Sequence, residues 1–295
     1  MLSIIICSAK PDLLCQVSEN IAKTVGIPYE IVAVDNRFEP KGICEVYNRA
    51  AAKSKYDYLC FVHEDVKFAT PNWGGKLMEA LRRPEIGLVG IAGAAHKPKI
   101  MSGWGAEGLR ERFVKINLVQ HFKRDQRDPI HQYFNSEGES LAQVVVVDGV
   151  FLAARKSVIL EIPFDEQVLR GFHGYDIDIS LAIGEKYQVA VILDIRLEHF
   201  SEGSLDADWV ANSWKVHKKW AHKLPKSVMP ITKRERINCE KRTYRHIIRI
   251  LKENGAYGLA WKVLHRGELM QLNKLTYLKM YYSYAKGYLG LFRRT

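Results

Sequence analysis

No stretch of the sequence runs for about 18 apolar residues without interruption, the length a membrane-spanning helix needs. The apolar start, Met1 to Cys7, is short, has no basic leader and passes directly into a strand and helix pattern. It reads as neither a signal peptide nor an anchor. Cysteine is scarce and unpaired: Cys7, Cys15, Cys44, Cys60 and Cys239 show no metal-ligand spacing. Cys7 and Cys60 lie within apolar runs, where a thiol packs as a small hydrophobe. A disulfide framework is therefore not expected, and the composition points to a reduced, cytoplasmic compartment. Internal repeats and low-complexity segments are also missing, which sets aside solenoids and long flexible linkers.

What is present is an ordinary globular balance, 47% hydrophobic and 26% charged residues in a chain of 295. That length holds one large α/β domain with an appendage, or two modest domains. The net charge of +11 is unevenly placed: residues 226–295 carry 16 Lys and Arg against four Glu, while residues 1–225 carry 28 basic and 29 acidic side chains. The excess belongs to the tail.

Strand and helix patterns alternate from the start. Ser3–Ser8 reads as a strand, and Lys10-Pro11-Asp12 opens a helix, with Pro11 suited to its first turn. Tyr29–Val34 reads as a second buried strand ending at Asp35-Asn36, and a helix follows from about Cys44 to Lys53. A third strand, Tyr58 to Val62, ends abruptly in His63-Glu64-Asp65; a helix over Asn72–Arg83 and a strand over Ile86–Gly93 come next. This order implies a mostly parallel sheet covered by helices on both faces. From about Gly93 to Gln143 the pattern breaks into a polar, aromatic-studded segment, read as a functional loop. Order returns at Val144–Val147, Asp148-Gly149, Phe151–Ala154, a helix ending near Ile183, and a strand over Val189–Leu193. Asp206 to about His222 reads as a helix whose tryptophans, Trp209, Trp214 and Trp220, belong to the core.

Open α/β sheets bind ligands at the carboxyl ends of their strands, so the acids and imidazole after the third strand are the first candidate site. Acids there suit a hard divalent cation against a phosphate. Gly103-Trp104-Gly105-Ala106-Glu107-Gly108 satisfies a dinucleotide-binding spacing, but no strand precedes it and the match is set aside.

The ordered set of Ser3-Ile4-Ile5-Ile6-Cys7-Ser8, Ile31-Val32-Ala33-Val34-Asp35-Asn36, Asn48-Arg49-Ala50, Phe61-Val62-His63-Glu64-Asp65-Val66, Val147-Asp148-Gly149, Phe164-Asp165-Glu166, Gly174-Tyr175-Asp176-Ile177-Asp178, His199-Phe200-Ser201 and Lys219-Trp220 resembles the inverting, family-2-like glycosyltransferases of the GT-A fold. Within them it looks most like the branch named after a streptomycin-biosynthesis glycosyltransferase. The resemblance implies a Rossmann-like catalytic domain over residues 1–225, with 94–143 as a variable acceptor loop region and 226–295 as a basic helical extension. It implies Mn²⁺ or Mg²⁺ as cofactor, with Asp65 and His199 as ligands. His63 stands where the family has Asp, and two roles stay open for it: contact with the donor's ribose or pyrophosphate, or orientation of its neighbour. Ser8, Asp35, Glu64, Asp148 and Gly149 are the further donor-site residues the resemblance implies, with Asp35 accepting a hydrogen bond from the nucleobase. Asp35 also reads locally as a plain Asp-Asn turn, and Asp148-Gly149 as a plain turn.

Asp176 is implied as the general base. Tyr175 stands where many relatives have Glu, and Asp178, two positions on, faces away if the segment is helical. As a first-turn acid, Asp176 would be stabilised by the helix dipole and stay ionised. The implied reaction moves a sugar from a nucleoside-diphosphate sugar, expected to be a UDP-sugar, to a glycan or lipid-linked acceptor. A non-catalytic binding protein of the same fold and a nucleotidyltransferase remain alternatives. For the basic, aromatic-rich tail two readings stay open: peripheral attachment to the inner face of a membrane, or helices packed on the domain with a solvated basic face. No nucleic-acid motif accompanies the charge, and nucleic acid is not expected as a partner.

Overall fold

A computed structural model of the chain describes residues 1–123 and 127–292. Its centre is a seven-stranded sheet in the order Leu141–Val144, Gln188–Ile192, Ile86–Gly90, Phe151–Arg155, Tyr58–Val62, Leu2–Ser8, Tyr29–Asp35. Five strands run the same way; Phe151–Arg155 and Leu141–Val144 run against them. The first strand is apolar along nearly its whole length because both of its faces are covered. Leu2, Ile4, Ile5 and Ile6 are wholly buried, each contributing about 1.5–3 kcal/mol of transfer free energy.

Helices Pro11–Thr24 and Trp73–Leu81 cover one face, and Ile43–Lys53 and Tyr175–Ile183 the other, their apolar side chains packing into two core clusters, one on each face. The parallel strands therefore deliver their carboxyl ends to one rim, where Ser8, Asp35 and the His63-Glu64-Asp65 turn lie.

The segment expected to be an irregular loop is not one. Ala92–Ala94, Val114–Gln120 and Ile130–Phe134 join Val146–Val147, Leu197–His199 and Val66–Phe68 in a second, six-stranded sheet. Four of these strands are only two or three residues long, and most pair with partners remote in sequence, so local periodicity does not reveal them. One pairing matters most for function. Leu197–His199 runs antiparallel to Val66–Phe68 with His199 opposite Val66, and parallel to Val114–Gln120 with His199 opposite Gln120.

The basic tail folds as helices Lys233–Glu253, Ala260–Arg266, Leu269–Leu272 and Lys274–Phe292 around a third apolar cluster that includes Tyr244, Ile247, Leu264, Tyr277 and Met280. Ile100, Met101 and Val210 of the main body belong to the same cluster, so these helices pack on the domain. A capping box, Thr232 with Glu235, starts the long helix. Wholly buried Glu240 then accepts the backbone N–H groups of Ile100 and Glu268, both at 3.0 Å. Its carboxyl is pushed up to about 7 by burial. Glu240→Ala would orphan both donors, and the expected loss is about 3 kcal/mol in urea unfolding. An unchanged midpoint would show that the tail is not anchored there.

Candidate active site

Above the rim of the main sheet lies a cavity of about 930 Å³. The turn after the third strand supplies His63, Glu64 and Asp65 to its wall; Asp148-Gly149, Tyr175-Asp176 and His199 supply others. Residues expected from sequence to act together thus converge from four separate segments.

His63 Nδ1 lies 4.0 Å from Asp65 Oδ1, and His199 Nε2 lies 3.6 Å from the same oxygen. The three ligand atoms of His63, Asp65 and His199 are all within 4.8 Å of one another. Burial opposes ionisation of Asp65, but the His199 and His63 imidazoles and the Ser201 hydroxyl outweigh it and hold the carboxyl below its usual range. Burial likewise lowers the basicity of His199, against the pull of Asp65. A compact set of two imidazoles and one carboxylate suits a divalent cation, and the residues present fit one.

The base candidate sits in a different electrostatic setting. Gly174, at φ 82°, takes the left-handed conformation that starts helix Tyr175–Ile183. Asp176 in the first turn meets burial and the Asp148 carboxylate, which together push it up to about 7, while the Ile177 N–H and Lys97 pull the other way. The dipole-stabilised, fully ionised carboxylate expected from sequence is thus corrected: desolvation outweighs the helix terminus. Asp178 faces away, as helical spacing implies. It accepts from Trp220 Nε1 at 2.7 Å and pairs with Lys219 at 2.9 Å.

Other expected donor-site residues are placed unevenly. Ser8 Oγ donates to Glu64 Oε2 at 2.7 Å, and the Ala9 and Lys10 N–H groups donate to the same oxygen at 3.2 and 3.1 Å. Glu64 therefore ties the third strand's end to the start of the first helix. Asp148 turns its Oδ1 to the Val150 N–H at 2.8 Å. Gly149 is needed for close approach, because any Cβ there would overlap the Tyr175 hydroxyl. Asp35 is half exposed and clamped by Arg37 through Oδ1 at 2.9 Å and Oδ2 at 2.6 Å, which holds its carboxyl down at about 2. It does not reach the cavity wall, whereas Asn36 does.

Several residues that shape the cleft carry no sequence signal. Wholly buried Lys97 donates to Ser102 O, Ser102 Oγ and Gly103 O at 2.9, 2.6 and 2.8 Å, fixing the loop that carries Trp104 into the cavity. Burial pushes Lys97 down to about 7, with Asp176 opposing. The tail contributes as well: Thr243, His246 and Ile247 of the long helix line the cleft. Of the three tryptophans read as core, Trp220 is buried, Trp214 packs against the tail cluster, and Trp209 lines the cavity.

A model of the Glycosyltransferase like family matches residues 3–228. No curated protein matches the sequence. Among solved structures, the chain is similar to S. aureus TarS 1–349 in complex with UDP-GlcNAc, with 10% identity and a TM-score of 0.53 over 98% of this chain and 91% of that one. The complex of the same protein with UDP gives a TM-score of 0.52. It is also similar to GalNAc-T7 with UDP, GalNAc and Mn²⁺, at 12% identity and a TM-score of 0.53 over 75% of this chain. The match covers 48% of the GalNAc-T7 chain, about half its length. At these identities the likeness is one of fold, the GT-A fold.

Proposed function

The chain belongs to the Glycosyltransferase like family, and we propose that its cleft transfers a sugar with inversion from a UDP-sugar to a hydroxyl of a glycan or lipid-linked acceptor. The observation that carries the reading is the convergence of His63, Asp65, Asp148, Asp176 and His199 on one cavity. The UDP and UDP-sugar in the similar structures support the donor class.

Asp176 would accept the proton of the acceptor hydroxyl as its oxygen attacks the anomeric carbon. The bond from that carbon to the diphosphate breaks on the opposite side, and the nucleoside diphosphate leaves. A divalent cation, Mn²⁺ or Mg²⁺, held by Asp65 and His199 would neutralise the charge gathering on the departing diphosphate. Glu64 and Ser8 keep the turn in place, Gly149 leaves room for the Tyr175 hydroxyl, and Asp148 keeps Asp176 basic by adding negative charge beside it. Contact of Asp35 with the nucleobase requires its Arg37 pair to open. The acceptor would lie against the second sheet and the tail helix, between Trp104 and His246, both in the cavity wall.

For the tail, the proposed partner is an anionic membrane surface. Helix Lys274–Phe292 buries Tyr277, Met280 and Tyr284, yet on its opposite side Leu275, Leu278, Tyr282 and Leu289 are 72%, 57%, 70% and 64% exposed. Lys274, Lys279 and Lys286 lie on the same helix. No helix among the described residues is long and apolar enough to cross a membrane. Apolar residues with lysines on an exposed helix face suit the headgroup layer instead.

Three outcomes follow. Asp176→Asn should keep donor affinity within about twofold and lower turnover by roughly 10²–10⁴-fold, measured as UDP release; release of pyrophosphate instead would identify nucleotidyl transfer. Because the base must be ionised and burial holds it at about 7, kcat/KM should be level above that pH and fall about tenfold per unit below it. A profile flat down to pH of about 5 would remove Asp176 as base. In flotation assays, phosphatidylserine-containing vesicles should capture the chain at low salt, and Leu278→Glu with Tyr282→Glu should weaken capture by about tenfold or more. Equal behaviour on pure phosphatidylcholine, or no effect of the substitutions, would count against a lipid-facing helix.

A further inference from the structure

We propose that Tyr175 is a positioning residue that makes His63 a third metal ligand, so that the cleft presents two imidazoles and one carboxylate and prefers Mn²⁺ over Mg²⁺. The inference rests on the metal-dependent reading above and deepens it.

The argument is one of hydrogen bookkeeping. Tyr175 has a single hydroxyl proton, and the Gly149 carbonyl, which can only accept, takes it at 3.0 Å. The Tyr175 oxygen is also 3.0 Å from His63 Nε2, so there it offers a lone pair and Nε2 carries the proton. A neutral His63 then has its free lone pair on Nδ1, the atom that faces Asp65.

His199 is set in the same way by an independent group. Gln120 Nε2 donates to the His121 and Ser201 carbonyls, both at 2.8 Å, which fixes the orientation of its amide. Gln120 Oε1 therefore accepts from His199 Nδ1 at 3.2 Å, leaving the His199 lone pair on Nε2, 3.6 Å from Asp65 Oδ1. Two imidazole lone pairs and a carboxylate oxygen thus face one another within 4.8 Å, with the Ser201 hydroxyl, 3.4 Å from His199 Nε2, beside them. Such an arrangement is repulsive by itself and becomes favourable around a cation. Orienting partners of this kind set the tautomer and direction of metal-bound histidines. Mn²⁺, a first-row transition ion, tolerates imidazole nitrogen beside oxygen ligands, whereas the harder Mg²⁺ keeps to carboxylate, carbonyl and water oxygen.

The test is metal binding to the full chain without donor, by calorimetry with Mn²⁺ and Mg²⁺ and by pulsed electron paramagnetic resonance, which counts nitrogen nuclei bound to Mn²⁺. The wild type should show two imidazoles and bind Mn²⁺ at least about tenfold more tightly than Mg²⁺. Tyr175→Phe should weaken Mn²⁺ binding by about 10–100-fold and lose one imidazole from the spectrum. His63→Gln, which leaves Tyr175 and Gly149 intact, should also lose one imidazole, and His63→Asp should narrow the preference for Mn²⁺. A wild-type spectrum with one imidazole, or Mn²⁺ affinity unchanged in both Tyr175→Phe and His63→Gln, would overturn the proposal. Sugar transfer assayed separately tells the two readings apart: transfer with a single-imidazole site sinks this inference alone, and no transfer with a two-imidazole site sinks only the transferase reading.

Discussion

The site depends on the pairing of one three-residue strand, Leu197–His199, between Val66–Phe68 and Val114–Gln120. Its antiparallel side sets His199 opposite Val66, next to Asp65. Its parallel side sets the same residue opposite Gln120, the group that orients the imidazole. Side chains alternate along a strand with a period of two, so a slip by one residue would turn His199 to the other face and separate all three groups. The five parallel strands of the main sheet position the other half of the cleft by delivering their polar ends to a common rim. Neither half suffices without the other, because Asp65 lies at the joint where the third strand leaves the main sheet and Val66–Phe68 enters the second.

Burial then gives the two acids different electrostatic roles. Asp65 has two imidazoles beside it and stays ionised despite desolvation. Asp176 has Asp148 as neighbour and rises to about 7. The acid beside the imidazoles suits a permanent cation ligand, and the acid beside another acid suits reversible proton transfer near neutrality. Lys97 moderates the second. Its three hydrogen-bond acceptors are uncharged oxygens, so its positive field is not cancelled by a direct ion pair and reaches Asp176.

Much of this was legible in the sequence where the signal was local. The strands of the main sheet announced themselves as apolar runs, and His63 and Asp65, which follow one of them, meet Asp176 and His199 in the cleft. The second sheet was not legible, because Val114–Gln120 gains its meaning only from partners such as Leu197–His199 that no window of neighbours contains. Asp35 was legible as a strand-end acid, but its Arg37 clamp depends on where two exposed side chains settle. Lys97 left no trace, since a lysine that folding buries completely looks in sequence like any surface lysine. Tyr175 and His63 were visible only as two separate departures from a pattern. In three dimensions they touch, and the substitution at one position supplies the hydrogen-bond partner for the other.

The charge imbalance that set the tail apart in sequence does not set it apart in space. Helix Lys233–Glu253 lines the cleft through Thr243, His246 and Ile247. Ile247, Ile250 and Leu251 of the same helix share a core cluster with Tyr277, Met280 and Tyr284 of the last helix. A single helix layer therefore joins the cavity wall to the element whose outer side exposes Leu275, Leu278 and Tyr282. On the membrane reading, this geometry makes attachment and acceptor access one problem. The rigid packing that holds the last helix against the body would also hold the cleft at a set distance from the lipid surface, where a lipid-linked acceptor presents its hydroxyl. A flexible tether would leave that distance undefined; close-packed tyrosines and Met280 define it, because interiors at this density do not deform continuously.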